Sequence, residues 1–103
     1  MNVSDEPQEK KTAIALAIDP QTAQGQYTNL MWVNHTPFEF TLDFAHLAPG
    51  MPVAPVRARV IVSPPQMKRI VAALTQNLKD YEERFGVVPT DPNEPEIIFE
   101  RGN

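Results

Sequence analysis

The sequence predicts an α+β domain: an antiparallel sheet of three to four strands followed by one long C-terminal helix packed on one face. Two observations carry this reading. Phe38, Phe40, Leu42 and Phe44 alternate with Glu39, Thr41 and Asp43, the period of a strand with one buried face. Beyond Ser63 the period changes, and Met67, Ile70, Val71, Leu74, Leu78, Tyr81 and Phe85 recur at helical spacing, as in an amphipathic helix.

The elements follow in order. Residues 1–11 are polar and charged, and are expected to form a disordered tail ahead of a single domain over 12–86. Thr12–Ile18 sets Ile14, Leu16 and Ile18 on one side and alanines on the other. It reads as a first strand, although the alanines also permit a short helix. Asp19-Pro20 closes it, because proline lacks an N–H and restricts the residue before it. Gln21–Gln26 is a polar link. Tyr27–Asn34 reads as the second strand, with Leu30 and Trp32 on one face and Tyr27, Met31 and Val33 on the other.

Asn34-His35-Thr36-Pro37 is turn chemistry, and Phe38–Phe44 is the third strand. A loop stiffened by Pro49, Pro52 and Pro55 leads to the fourth, Val56–Val62. Ser63 and Gln66 have the spacing of a capping box, and Pro64 suits the first helical position. The helix runs to about Phe85, where Gly86 supplies a left-handed cap. Residues 87–103 form a proline-rich acidic tail in which Ile97-Ile98-Phe99 offers an apolar anchor, able to dock on the domain.

Antiparallel pairing of the third and fourth strands brings Phe38, Phe40, Leu42 and Phe44 onto one face with Val56, Ala58, Val60 and Val62. Glu39 and Asp43 then share the other face with Arg57 and Arg59. Tyr27, Met31, Val33 and Ile61 are expected on that second face too. An apolar patch there points to a homodimer or a dimer of dimers. Leu74 and Phe40 are expected in one core between helix and sheet.

Composition narrows the function classes. The 103 residues suit one domain, and 42% hydrophobic content suits a core. The apolar stretch Ala13–Ile18 is far below the roughly 18 residues of a membrane span, and the N-terminus lacks the apolar centre of a signal peptide. No membrane association is expected. There are no cysteines, hence no disulfide or thiolate chemistry, which fits a cytoplasmic protein. A net charge of −4 and a pI near 5.0 disfavour a nucleic-acid coat. Yet Arg57, Arg59, Lys68, Arg69 and Lys79 fall in a stretch, 44–79, without an acidic residue. Arg57, Arg59, Lys68 and Arg69 therefore join Tyr27, Met31, Val33 and Ile61 as candidate partner-binding residues, beside the simpler reading of solvated surface charge.

No catalytic, cofactor or metal site is expected. His35 and His46 lack the spacing of metal ligands. His46 near Asp43 resembles half of an acid–base pair, but a polar residue at a strand end accounts for it. Glu39 and Asp43, four apart on a strand, stand roughly 13 Å apart, too far for a typical glycosidase pair. Ser63 has no G-x-S-x-G turn around it, and capping explains it. The glycines are scattered and form no phosphate loop. Trp32 and the phenylalanines beside Arg57 and Arg59 could stack bases, but their strand-period alternation is that of a core face.

A family resemblance accompanies these readings. Tyr27-Thr-Asn29, Val33, Thr36-Pro37, Phe38-Glu39-Phe40 and Leu42-Asp43-Phe44 resemble the small prokaryotic proteins grouped as domain of unknown function 3467. So do Arg59-Val60, Ser63-Pro64, Lys68, Leu74, Asn77, Tyr81-Glu82 and Phe85-Gly86. The likeness runs from Tyr27 to Gly86 and implies a shape without an activity. The order of strands and helix is also similar in architecture to the SecB export chaperones. The resulting expectation is a non-enzymatic oligomeric binding or adaptor protein, chaperone-like in one form, with a protein partner. A nucleic-acid-associated protein using the basic 57–69 surface, and an enzyme with a site across a subunit interface drawing on Asp43, His46 and Arg57, are the alternatives.

Overall fold

The structure, a computed structural model, describes residues 11–91. Its elements are α1 (Pro20–Ala23), β1 (Leu30–His35), β2 (Phe40–Ala45), β3 (Val56–Val62) and α2 (Pro64–Phe85). The three strands form one antiparallel sheet in the order β1-β2-β3, followed by the long helix: the α+β class that the two periods predict. Among the described residues no helix is long and apolar enough to cross a membrane.

The hairpin turn explains why β2 starts at Phe40 and not Phe38. Thr36 Oγ1 accepts hydrogen bonds from the N–H groups of Phe38 (3.1 Å) and Glu39 (3.3 Å). The Thr36 N–H donates to the Glu39 carbonyl at 2.9 Å. Thr36–Glu39 is thereby consumed by the turn, and Phe38 stays exposed. At the other end of the hairpin, Asn29 stands in for a strand residue. Its N–H donates to the Ala45 carbonyl, and its side-chain amide exchanges two hydrogen bonds with the Leu47 backbone, at 2.8 and 3.0 Å.

The register runs Met31–Phe44, Val33–Leu42 and His35–Phe40 on one side of β2, and Phe40–Val62, Leu42–Val60, Asp43–Arg59 and Phe44–Ala58 on the other. A bulge follows: Phe44 faces Ala58 but Ala45 faces Val56, which leaves Arg57 as the extra residue. The expected double row of acids and arginines therefore reduces to the single pair Asp43–Arg59.

Three expectations are corrected. Thr12–Ile18 is not a strand among the described residues; it has no regular structure and Leu16 is 97% exposed. It pairs with neither edge of the sheet, and Asp19-Pro20 begins a helical turn instead of ending a strand. Asp19 is the N-cap of α1, its carboxylate accepting from the Thr22 N–H at 3.1 Å and from the Thr22 hydroxyl. Those bonds, the hydroxyl's first, hold its pKa below the ordinary value.

Second, Met31 and Val33 do not share a face with Ile61. They pair with Phe44 and Leu42, while Ile61 pairs with Thr41 on the side of Asp43. The alternation within β1 is right, but its phase against β2 is set by the turn, and the turn places Trp32 opposite Asp43.

Third, α2 does not cover the sheet of its own chain. It has no buried residue, Leu74 is 63% exposed and Phe85 66%. The extensive contacts between elements are those of β2 with its two neighbours. Leu74 and Phe40 do not share a core. Ser63 is extended at the start of the helix, and only its first two turns, from Pro64 to Val71, line the hollow beside Phe40. Among the described residues the buried ones are Leu42, Asp43 and Ala45, all on β2.

The helix begins and ends where the sequence implies, but its caps are only partly those expected: Gly86, with ψ 162°, is not in the left-handed helical conformation. Ser63 Oγ accepts from the Gln66 N–H at 3.3 Å, and Pro64 opens the first turn. The Gln66 side chain accepts from Arg69, so the reciprocal half of a capping box is not made. Gly86 takes φ +98°, where L-residues are strained, and its N–H closes on the Glu82 carbonyl at 2.9 Å.

Ser63→Ala is expected to destabilise the helix by about 0.5–2 kcal/mol, and Ser63→Asp to be near neutral because aspartate also caps and suits the dipole. Helicity by circular dichroism through a urea titration measures both. Leu42→Ala, at the centre of the sheet, is expected to cost about 2–5 kcal/mol, read from the same titration.

Candidate functional site

The register divides the sheet into two unlike faces, since directly paired residues of antiparallel strands project to the same side. One face carries Met31, Val33, Phe40, Leu42, Phe44, Ala58, Val60 and Val62. Apart from Leu42 these side chains are part-exposed or exposed, with Met31 at 46% and Val60 at 44%. Two hollows flank it. One, of about 570 Å³, lies where Phe40 meets Pro64, Pro65, Met67, Lys68 and Val71. The other, of about 510 Å³, lies where Phe44, Ala58 and Val60 meet the segment from Gln21 to Thr28. An apolar sheet face open between two walls is the kind of surface that takes an apolar partner.

The opposite face carries Trp32, Thr41, Asp43, Arg59 and Ile61. Arg59 grips Asp43 with both arms, Nε to Oδ1 at 2.7 Å and Nη2 to Oδ2 at 2.8 Å. Asp43 is 5% exposed, whereas the Arg59 side chain is 61% exposed. The hydrogen bonds from Arg59, and then its positive charge, lower the Asp43 pKa against the opposing effect of burial, and Arg59 is raised in turn. The carboxylate is thus committed to structure, and the positive charge of Arg59 is neutralised on the protein itself.

The candidate partner-binding residues fall into separate places. Met31 and Val33 lie on the apolar face. Ile61 and Arg59 lie on the other, and Arg57 occupies the bulge. Tyr27 precedes β1 and meets the edge of His46, ring centroids 5.6 Å apart. Lys68 and Arg69 belong to the first turns of α2. Phe40, Val60 and Val62 extend the apolar face, where their alternation with charged and polar residues places them; the sequence does not mark them as partner-binding residues, because it predicts that face to lie under the helix. His46 packs edge-on against Tyr27, and the His35 ring lies 5.4 Å from the Phe40 ring. Among the described residues no three His, Cys, Asp or Glu side chains converge as metal ligands would. The apolar anchor Ile97-Ile98-Phe99 and most of residues 1–11 lie outside the described residues.

The lowered Asp43 pKa has a definite sign. A carboxylate whose folded pKa is depressed contributes stability that is complete above its ordinary pKa, 3.8, and is lost as pH falls through the lower folded value. Asp43→Asn is expected to lower stability at pH 7 and to flatten its pH dependence below about pH 4. Urea midpoints from pH 2 to 7 give the comparison.

No curated protein and no solved structure matches this chain. One family model does, over residues 1–90, described as a protein of unknown function (DUF3467). That span takes in the segment from Thr12 as well as the sheet and α2, and the chain belongs to this family.

Proposed function

We propose that the protein is a non-enzymatic, oligomeric binding or adaptor protein that holds apolar segments of other polypeptides on its sheet, in the manner of a chaperone. The observation that carries this reading is the apolar face of Met31, Phe40, Phe44 and Val60 between its two hollows, which is open among the described residues. A soluble domain that leaves such a face open has a use for it. The likeness in architecture to the SecB chaperones, an analogy of fold alone, points the same way, as does a cytoplasmic setting for a cysteine-free chain.

The nucleic-acid reading is weaker because its basic surface is dispersed. Arg59 is engaged by Asp43, Arg69 donates to Gln66 and Arg57 stands in a bulge. An interfacial enzyme would need a titratable cluster, and Asp43, its best carboxylate, already serves Arg59.

The test is suppression of aggregation of a chemically unfolded reporter protein, with fluorescence anisotropy for a labelled apolar peptide and for a single-stranded oligonucleotide. The protein is expected to slow aggregation and bind the peptide. Met31→Glu with Val60→Glu is expected to weaken peptide binding about tenfold or more, since two part-exposed apolar contacts are replaced by charge. Oligonucleotide binding without peptide binding overturns the proposal.

A further inference from the structure

We infer that α2 pairs antiparallel with α2 of a second copy of this chain. The inference specifies the oligomer of the reading above and rests on its oligomeric part alone: it uses the helix and the hollow beside Phe40, and leaves Met31, Phe44, Val60 and the second hollow for a peptide.

The helix carries more order than amphipathicity. Met67, Val71, Leu74, Leu78, Tyr81 and Phe85 follow one another at intervals of 4, 3, 4, 3 and 4 residues, the 3.5-residue period of a coiled-coil seam sustained for the whole element. The outward positions between them are Arg69, Gln76, Lys79, Asp80 and Glu83. Leu74, Leu78, Tyr81 and Phe85 are more than half exposed, and no strand among the described residues covers them. A narrow seam of this kind fits another helix better than a sheet, which takes a broader stripe.

Charge selects the partner and its direction. The start of α2 is basic, with Lys68 and Arg69, and its end is mildly acidic, with Asp80, Glu82 and Glu83 against Lys79 and Arg84. Parallel pairing sets like beside like and aligns the two dipoles. Antiparallel pairing about the middle of the helix places Leu74 against the partner's Leu78, Val71 against the partner's Tyr81, and Met67 against the partner's Phe85. Every layer then joins two seam positions. Lys68, beside Met67, falls opposite the partner's Glu82, once on each side of the twofold.

The structure also holds a receptor for the end of the partner helix. The hollow of about 570 Å³ is lined by Phe40, Pro64, Pro65, Met67, Lys68 and Val71. Its helical residues Met67, Lys68 and Val71 are those set opposite the partner's Phe85, Glu82 and Tyr81. Tyr81 and Phe85 lie with ring centroids 5.0 Å apart, a paired aromatic anchor of the kind that fills such a hollow. A helix of 22 residues is about 33 Å long, so the two sheets sit at opposite ends without collision.

Because the chain has no cysteine, disulfide trapping gives a clean test on the full chain. Met67→Cys mixed with Phe85→Cys is expected to form a cross-linked dimer under mild oxidation. Met67→Cys alone is expected not to, since its two copies lie about 27 Å apart. Lys68→Glu is expected to raise the dimer dissociation constant about tenfold, by turning two attractive pairs into repulsive ones, and Lys68→Glu with Glu82→Lys is expected to restore it. Leu74→Asp with Leu78→Asp is expected to give a monomer that keeps its strand signal.

Self-linking of Met67→Cys overturns the antiparallel register. A monomer mass at tens of micromolar, or a dimer indifferent to Leu74→Asp, overturns the helix seam. Peptide binding separates the two readings: a seam dimer that binds no peptide refutes the proposed binding role and keeps this inference, and a peptide-binding monomer refutes this inference with the oligomeric part of the proposal and keeps the binding role.

Discussion

A buried carboxylate on the middle strand is the constraint around which this sheet is organised. Asp43 is nearly closed to solvent and Arg59 is the group that compensates its charge, through two short hydrogen bonds from the neighbouring strand. Slipping β3 by one residue would strand the carboxylate and turn Val60 and Val62 to the other side. Removing one partner of such a pair leaves a charge without compensation. The pair thereby fixes the phase of β2 against β3, and the phase decides which side of the sheet is apolar. The apolar face, its two hollows and the setting of Phe40 beside the first turn of α2 all follow from that choice.

The strands and the helix were legible because each declares a period. Val56–Val62 and Pro64–Phe85 begin and end where alternation, the Ser63-Pro64 cap and Gly86 place them. Phe40, Leu42 and Phe44 face Val62, Val60 and Ala58 as alternation implies. What escaped is information that a single strand or helix does not contain. The phase of β1 against β2 depends on how many residues the Thr36–Glu39 turn consumes, and that moved Met31 and Val33 onto the face of Phe40. Asp19-Pro20 has the same cap-then-proline form as Ser63-Pro64, but the apolar residues before it made it look like an ending. The bulge at Arg57 breaks an alternation that looks regular in sequence.

The helix is the most instructive case. An apolar stripe announces that something covers it and is silent about what does. Seven apolar residues near helical period suggest a sheet beneath; six of them at strict 4-3 intervals suggest another helix. The distinction lies in whether Ile70 is counted with the stripe or beside it. Ile70 is part-buried, whereas the apolar residues of α2 from Val71 onward are exposed, so the beginning of α2 belongs with the sheet and the remainder of its stripe is left open by the described residues.

The Asn29 clamp has a practical corollary. The connection between β2 and β3 is pinned at its root, by Asn29 to Leu47 and by the His46 N–H to the Pro55 carbonyl at 3.1 Å. Within it, Pro49 to Val53 is exposed, and Gly50 turns the chain at φ +75°. Strain introduced at that tip is absorbed by the pinned root before it reaches the strands. Exposed tips with anchored bases tolerate added chain. A fluorophore or affinity epitope could therefore be carried between Gly50 and Met51, reporting from beside the sheet with both helix and apolar face undisturbed.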